Sequence, residues 1–196
     1  MLMTTDRLTL REFVADDWPA VLAYQSDPRY LRYYAWTGRT PAAVQEFIGW
    51  FLADQQTEPR LCRQLAVTLT ATGELIGNCG IRLKSAEAIQ GDIGYELAPD
   101  HWGHGYATEA AKAMVAYGFT TLKLHRIWAE CVADNRGSAR VLTKVGMQLE
   151  GRLRENEYYK GRYWDTLIFG LLADEWRKPH LRKESPDYNN RKILSE

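Results

Sequence analysis

Cysteine is scarce in this chain, and so is any surplus of charge. The three cysteines, Cys62, Cys79 and Cys131, stand far apart and are odd in number. They offer neither a disulfide framework nor a zinc-binding spacing, and they read as small apolar residues on strands in a reducing cytoplasm. Lys+Arg and Asp+Glu each total 25, so the formal net charge is zero. A nucleic-acid binder normally carries a basic surplus, so this balance argues against one. Long apolar runs are missing as well. Charge interrupts each of them far short of the roughly 20 residues a membrane span needs. Met1–Arg11 holds no signal-peptide core, because Asp6 and Arg7 fall where that core would begin. There is no internal repeat, low-complexity tract or linker.

What is present is an ordinary globular composition. The 196 residues are 45% apolar and 26% charged, enough for one domain with a real core and little room for two. Residues 7–13 alternate polar and apolar, which predicts a first strand. Asp16 can cap a short helix carrying Trp18, Val21 and Leu22, and a loop follows around Asp27-Pro28. Thr40-Pro41 opens a second helix, with Val44, Phe47, Ile48 and Phe51 at helical spacing. Strands are predicted at 62–70, 74–84 and 89–98, a helix at about 107–119, a strand at 125–133 and a helix at about 135–145 ending at Gly146. A hairpin of 147–158 and 162–172 turns at Lys160-Gly161. This order predicts a mixed α/β sheet with helices on both faces. Residues 1–174 form the expected domain. Residues 175–196 form a polar extension, either a mobile tail or a segment that packs on a second subunit in a homodimer.

The informative stretch runs from Gly94 to Ala110. A strand ends near Ala98-Pro99, a turn carries Gly103 and Gly105, and a helix starts with the small residues Ala107, Thr108, Ala110 and Ala111. Glycines allow close backbone approach, and a helix start offers unpaired N–H groups at the positive end of the dipole. Together they suit a pyrophosphate. A tight turn with a glycine cap explains the same pair without any ligand. No Lys-Ser/Thr follows the glycines, so this is not a P-loop, and the third glycine of the dinucleotide fingerprint is missing.

Trp102-Gly-His-Gly-Tyr-Ala107 resembles the pyrophosphate loop of the GNAT superfamily of acetyltransferases, whose usual form is Arg or Gln, two residues, Gly, one residue, then Gly or Ala. Gly105 and Ala107 match that form. Trp102 stands in place of the Arg or Gln, so phosphate contacts are expected from backbone N–H groups. The Trp and the Gly-Tyr-Ala-Thr-Glu-Ala after it resemble the subgroup containing the ribosomal-protein N-terminal acetyltransferases. Thr5–Arg11 with Asp16-Asp17, Gly73–Gly80, Ile93-Gly-Tyr95 and Asn135–Met147 resemble that subgroup's other segments, in the correct order.

The resemblance implies a mostly antiparallel twisted sheet with a splayed strand pair that seats acetyl-CoA. It implies cofactor contacts from Leu97, Ala98, Trp102, Gly103, His104, Gly105, Tyr106, Ala107, Thr108, Asn135, Ser138 and Lys144. It also makes Ser138 a candidate acid for the departing thiolate. On spacing alone, Asn135 is a helix cap and Ser138 a small polar residue on the inward face with Val141, Leu142 and Val145.

Glu96 is the candidate base, since an amine must lose its proton to attack a thioester. A solvent-facing or salt-bridged carboxylate is the alternative. Glu109, in the first helical turn, reads as structural. His101-x-x-His104 has metal-like spacing but no evident third ligand, so no metal is expected. Tyr30, Tyr33, Tyr34 and Trp36, with Tyr158, Tyr159, Tyr163 and Trp164, suit an acceptor pocket or core packing equally well, and Asp165 is a candidate to hold a cationic amine there. The expected activity is direct transfer of acetyl from acetyl-CoA to a protein N-terminus or a small primary amine. The alternatives are a non-catalytic acyl-CoA sensor or interaction module, and nucleotide binding through the same turn.

Overall fold

A computed structural model describes residues 1–184. Eight strands form one sheet in the order β1-β2-β3-β4-β5-β6-β8-β7. They are β1 (Leu2–Thr4), β2 (Leu8–Glu12), β3 (Cys62–Leu69), β4 (Leu75–Leu83), β5 (Gln90–Leu97), β6 (Arg126–Val132), β7 (Gln148–Tyr159) and β8 (Arg162–Leu172). Every neighbouring pair is antiparallel except β5 and β6. Among the described residues, six α-helices accompany the sheet: α1 (Trp18–Gln25), α2 (Pro28–Leu31), α3 (Pro41–Asp54), α4 (Tyr106–Thr120), α5 (Arg136–Val145) and α6 (Ala173–Glu184).

Helices cover both faces of the sheet's centre. One core joins Leu8, Leu10, Ile81, Ile93 and Ile127 to Met114, Val115 and Phe119 of α4 and Leu142 of α5. The other joins Phe13 and Ala66 to Val21, Tyr24, Tyr30, Val44 and Ile48 of α1–α3. Being covered twice, β3 is buried continuously from Gln64 to Thr68, as a central strand should be.

Local chemistry accounts for several element ends. The Thr40 hydroxyl accepts from the Ala43 N–H at 3.2 Å, and Pro41 takes the first position of α3. Gly146, at φ +103°, closes α5 in the left-handed conformation.

Three details depart from expectation. β1 is a strand of three residues, too short to leave an alternating pattern. The loop expected at Asp27-Pro28 starts a helix instead: Asp27 Oδ1 accepts from the Arg29 N–H at 2.8 Å, and Pro28 opens α2. Asp16 is not the cap of α1. A 3₁₀ turn, Ala15–Asp17, intervenes, and Asp17 precedes the helix with its carboxylate bound to Arg11 and to the Val14 N–H.

Helix α6 begins at Ala173 and runs through the expected boundary at 174/175. Its first turn is tied to the sheet, since Glu175 accepts from Gln148 Nε2 at 2.7 Å and from the Leu172 N–H at 2.9 Å. Residues 185–196 lie outside the described residues.

Candidate active site

The parallel neighbours β5 and β6 pair over only three positions, Gln90↔Arg126, Gly91↔Ile127 and Asp92↔Trp128. Beyond them the strands diverge. Residues 93–97 of β5 stay bonded to β4 on one side, and residues 129–132 of β6 to β8 on the other. The facing edges therefore border a wedge, and an unpaired strand edge presents backbone N–H and C=O groups to an extended ligand.

At one end of the wedge lies the glycine turn. Gly103 (φ +82°) and Gly105 (φ +84°) both adopt the left-handed conformation that favours glycine. Gly105 is the N-cap of α4 and supplies no side-chain hydrogen bond, so no capping side chain competes for the first N–H groups of the helix. Trp102 donates its indole N–H to the Leu97 carbonyl at 2.9 Å, tying the turn to the end of β5.

Arg7, entering β2, fixes the turn from the other side. It donates to the His104 carbonyl at 3.0 Å and to Glu109 Oε2 at 2.8 Å, with its guanidinium over the Tyr106 ring. Glu109 also accepts from the Thr5 hydroxyl and the Arg7 N–H. Burial pushes the Glu109 carboxyl up, but these donors outweigh it and hold the group below its usual range. Glu109 anchors the β2–α4 contact. The two histidines diverge: His101 contacts Glu74, and His104 stacks on Tyr106. Among the described residues, no three His, Cys, Asp or Glu side chains gather as a metal site.

Further along the wedge, Tyr95 of β5 reaches Ser138 of α5. The phenol donates to the Ser138 carbonyl at 3.0 Å and lies 2.9 Å from the Ser138 hydroxyl. The phenol carries one proton for these two acceptors; when it turns from the carbonyl to the hydroxyl, the serine proton is left free to be donated. Burial pushes the Tyr95 phenol above its usual range, so it stays protonated. Cys131 of β6 is beside this pair. Burial raises its thiol, and the Ser138 hydroxyl works against that. Asn135 caps α5 by accepting from the Ser138 N–H at 3.1 Å. Lys144 lies exposed in the last turn of α5, six residues and about 9 Å along the axis from Ser138.

Glu96 occupies the opposite face of β5, as the two-residue period dictates. Its Oε2 accepts from Asn78 Nδ2 at 2.9 Å, Gln25 Nε2 at 3.0 Å and the Tyr24 hydroxyl at 3.3 Å, while Oε1 receives only the Tyr34 hydroxyl at 3.3 Å. Gln64 extends this network by donating to Asn78 Oδ1 at 2.6 Å, and Arg39 by donating to Gln25 Oε1 at 3.1 Å. A glycine at 80 is required, because a Cβ there would collide with the Arg63 carbonyl oxygen of the backbone as well as with the Gln64 side chain. Burial first, and then the Glu96 charge, push the Tyr24 and Tyr34 phenols well up, so both remain donors. Tyr30 stacks on Tyr34 at 4.5 Å, and its buried hydroxyl has no partner among the described residues.

The sequence-derived residues from Leu97 to Thr108 run from the end of β5 into the start of α4, with Asn135 and Ser138 across the wedge at the start of α5 and Glu96 on the far face of β5. Tyr95, Arg7, Gln25 and Asn78 were not legible as site residues. Tyr95 shares the period of Ile93 and Leu97 and so reads as core. The Asp165 carboxylate is engaged within the hairpin, where it accepts from Arg152 Nε and from the Glu155 N–H. The two aromatic groups do meet, with Tyr33 edge-on to Trp164 at 6.2 Å.

Residues 7–148 match the family model described as an acetyltransferase (GNAT) domain. The chain belongs to this family. A relative from Bacillus licheniformis, the uncharacterized N-acetyltransferase p20, is 36% identical over 172 residues, covering 88% of this chain and 96% of its own. Two solved enzymes share the GNAT fold, each at 20% identity and a TM-score of 0.75. One is the ribosomal-protein-S5-alanine acetyltransferase from Vibrio fischeri, with 90% of this chain and 98% of that chain covered. The other is the spermidine N-acetyltransferase from Vibrio cholerae in complex with CoA and spermine, with 89% and 100% covered. The GNAT chain is an acetyltransferase built as one mixed α/β domain, and no helix among its described residues is long and apolar enough to cross a membrane.

Proposed function

We propose that the protein moves an acetyl group from acetyl-CoA to a primary amine by direct transfer in a ternary complex. One observation carries the reading: the open edge of β5 leads from the Tyr95–Ser138 pair to the uncapped start of α4 at Gly105. These groups fit coenzyme A. The amides of Tyr106, Ala107 and Thr108 take the pyrophosphate, and the open edge of β5 up to Leu97 takes the pantetheine amides, while Ala98 is already bonded through its N–H to the Ile76 carbonyl and through its carbonyl to the His101 N–H. The side-chain NH₂ of Asn135 has no bond among the described residues and serves the same arm.

When bound, acetyl-CoA supplies an activated acyl thioester: its C–S bond breaks as the C–N bond to the amine forms. The amine must be neutral to attack, and model amines titrate from about 7.7 for an α-amine to about 10.4 for a Lys side chain. Glu96 takes that proton through Oε1, the less engaged oxygen, directly or through water. The departing thiolate, whose conjugate acid titrates at about 8.5 like a Cys thiol, accepts a hydrogen bond from the Ser138 hydroxyl, which Tyr95 orients, and is protonated by solvent; the proton the nitrogen sheds as the C–N bond forms returns to solvent.

Two named relatives act on a ribosomal protein and on spermidine, which supports a primary amine as acceptor. Calorimetry should detect CoA binding, and a free-thiol assay over an amine panel should show amine-dependent release. Glu96→Gln should lower kcat by about 10²-fold with CoA affinity unchanged. Absence of CoA binding refutes the proposal.

A further inference from the structure

Beside the first turn of α5 lies an open cavity of about 400 Å³, lined by Arg32, Tyr33, Asp134, Arg136 and Gly137. It adjoins the reacting centre, since Gly137 precedes Ser138 directly. Its lining carries two guanidinium groups, Arg32 and Arg136, with no carboxylate partner among the described residues. Its one carboxylate, Asp134, is occupied by Arg162. The cavity is therefore cationic.

The backbone at Arg32 is held in place although its side chain is exposed. The carbonyls on both sides of it are bound by the β7–β8 hairpin: Lys160 Nζ donates to the Leu31 carbonyl at 2.7 Å, and the Tyr159 hydroxyl to the Tyr33 carbonyl at 3.0 Å. The Tyr33 hydroxyl donates in turn to the Asp134 carbonyl at 3.1 Å, closing the cavity against the start of α5. Arg136 is the first residue of α5, on backbone fixed by the Asn135 cap. Neither arginine has to be ordered by the ligand beyond its own rotamers, which lowers the entropic cost of binding.

The geometry points to an anion subsite in this cavity: the acceptor amine carries a carboxylate or phosphate that Arg32 and Arg136 receive. This rests on the transfer reading above and narrows its substrate class. Guanidinium pairs suit both anions, through paired N–H donors. The volume suits an amino-acid-sized group, at the lower end of small-molecule sites. A polyamine would bring positive charge against two unpaired cations.

The test uses CoA-loaded full-length protein and matched acceptors differing in one anionic group: an α-amino acid against its amide, and phosphoethanolamine against ethanolamine, with spermidine as the cationic probe. Calorimetry and kcat/KM should favour at least one anionic member about tenfold, more at low salt than at high salt. The arm with the larger preference identifies the anion. Arg32→Ala and Arg136→Ala should each shrink that preference several-fold. They should leave the neutral members, the CoA affinity and the melting temperature unchanged. Preference for spermidine, equal treatment of both matched pairs, or weakened CoA binding in either variant overturns the subsite. Loss of CoA binding by the unaltered protein would instead refute the transfer reading.

Discussion

Tyr95 and Ser138 are 43 residues apart in sequence and meet at 2.9 Å across the wedge. If their hydroxyls act as one proton-donating unit, removing either should remove most of the effect. Ser138→Ala should lower kcat about tenfold with CoA affinity nearly intact, at the low end for acid catalysis because a thiolate already leaves readily. Tyr95→Phe should do the same, costing about 1 kcal/mol of stability for the lost buried bond. The double variant should be no slower than the slower single one, as expected of groups that work together. Single-turnover rates, measured alongside stability, decide this. Multiplying defects would mean that the two residues act separately.

At the scale of elements, the turn at 102–105 makes a sharper prediction than the sequence alone allowed. No protein atom crowds a Cβ at Gly105 closer than Arg7 Nη2 at 3.5 Å, so space is not what excludes a side chain. The constraint is the backbone, at φ +84°. Gly105→Val should therefore cost about 1–3 kcal/mol of strain, or reshape the turn, and weaken CoA binding more than Trp102→Ala does. Unchanged CoA affinity in a folded Gly105→Val variant would remove the turn from the site. This also explains what could be read in advance. Helix starts at Thr40-Pro41 and Asn135, and the stop at Gly146, depend on neighbours within four residues, so composition reveals them. The donors that hold Glu96 come from positions 24, 25, 34 and 78. Arg7 meets Glu109 across 102 positions. Such contacts exist only once the sheet has assembled, and nothing in local spacing announces them. Helix α2 was hidden for another reason: Asp-Pro serves turns and helix starts alike.

For the whole molecule, the two halves of the sheet are hydrogen-bonded to each other along one short seam, beneath a core that both share. Seven strand pairings hold the sheet together, and the β5–β6 pairing contributes three residue pairs, against seven for β4–β5 and seven for β6–β8. The molecule resembles a book bound along Gln90–Asp92, with β1–β5 as one cover and β6–β8 as the other. CoA lying between the covers would take over hydrogen bonds that a strand makes elsewhere. Amide hydrogen exchange should register this: CoA should slow exchange within residues 93–97 far more than within β4, whose neighbours on both sides are already paired. Uniform slowing, or none, would mean that the ligand does not occupy the gap. If CoA fills the gap in this way, the donor-free enzyme should breathe most along the unpaired edges of β5 and β6.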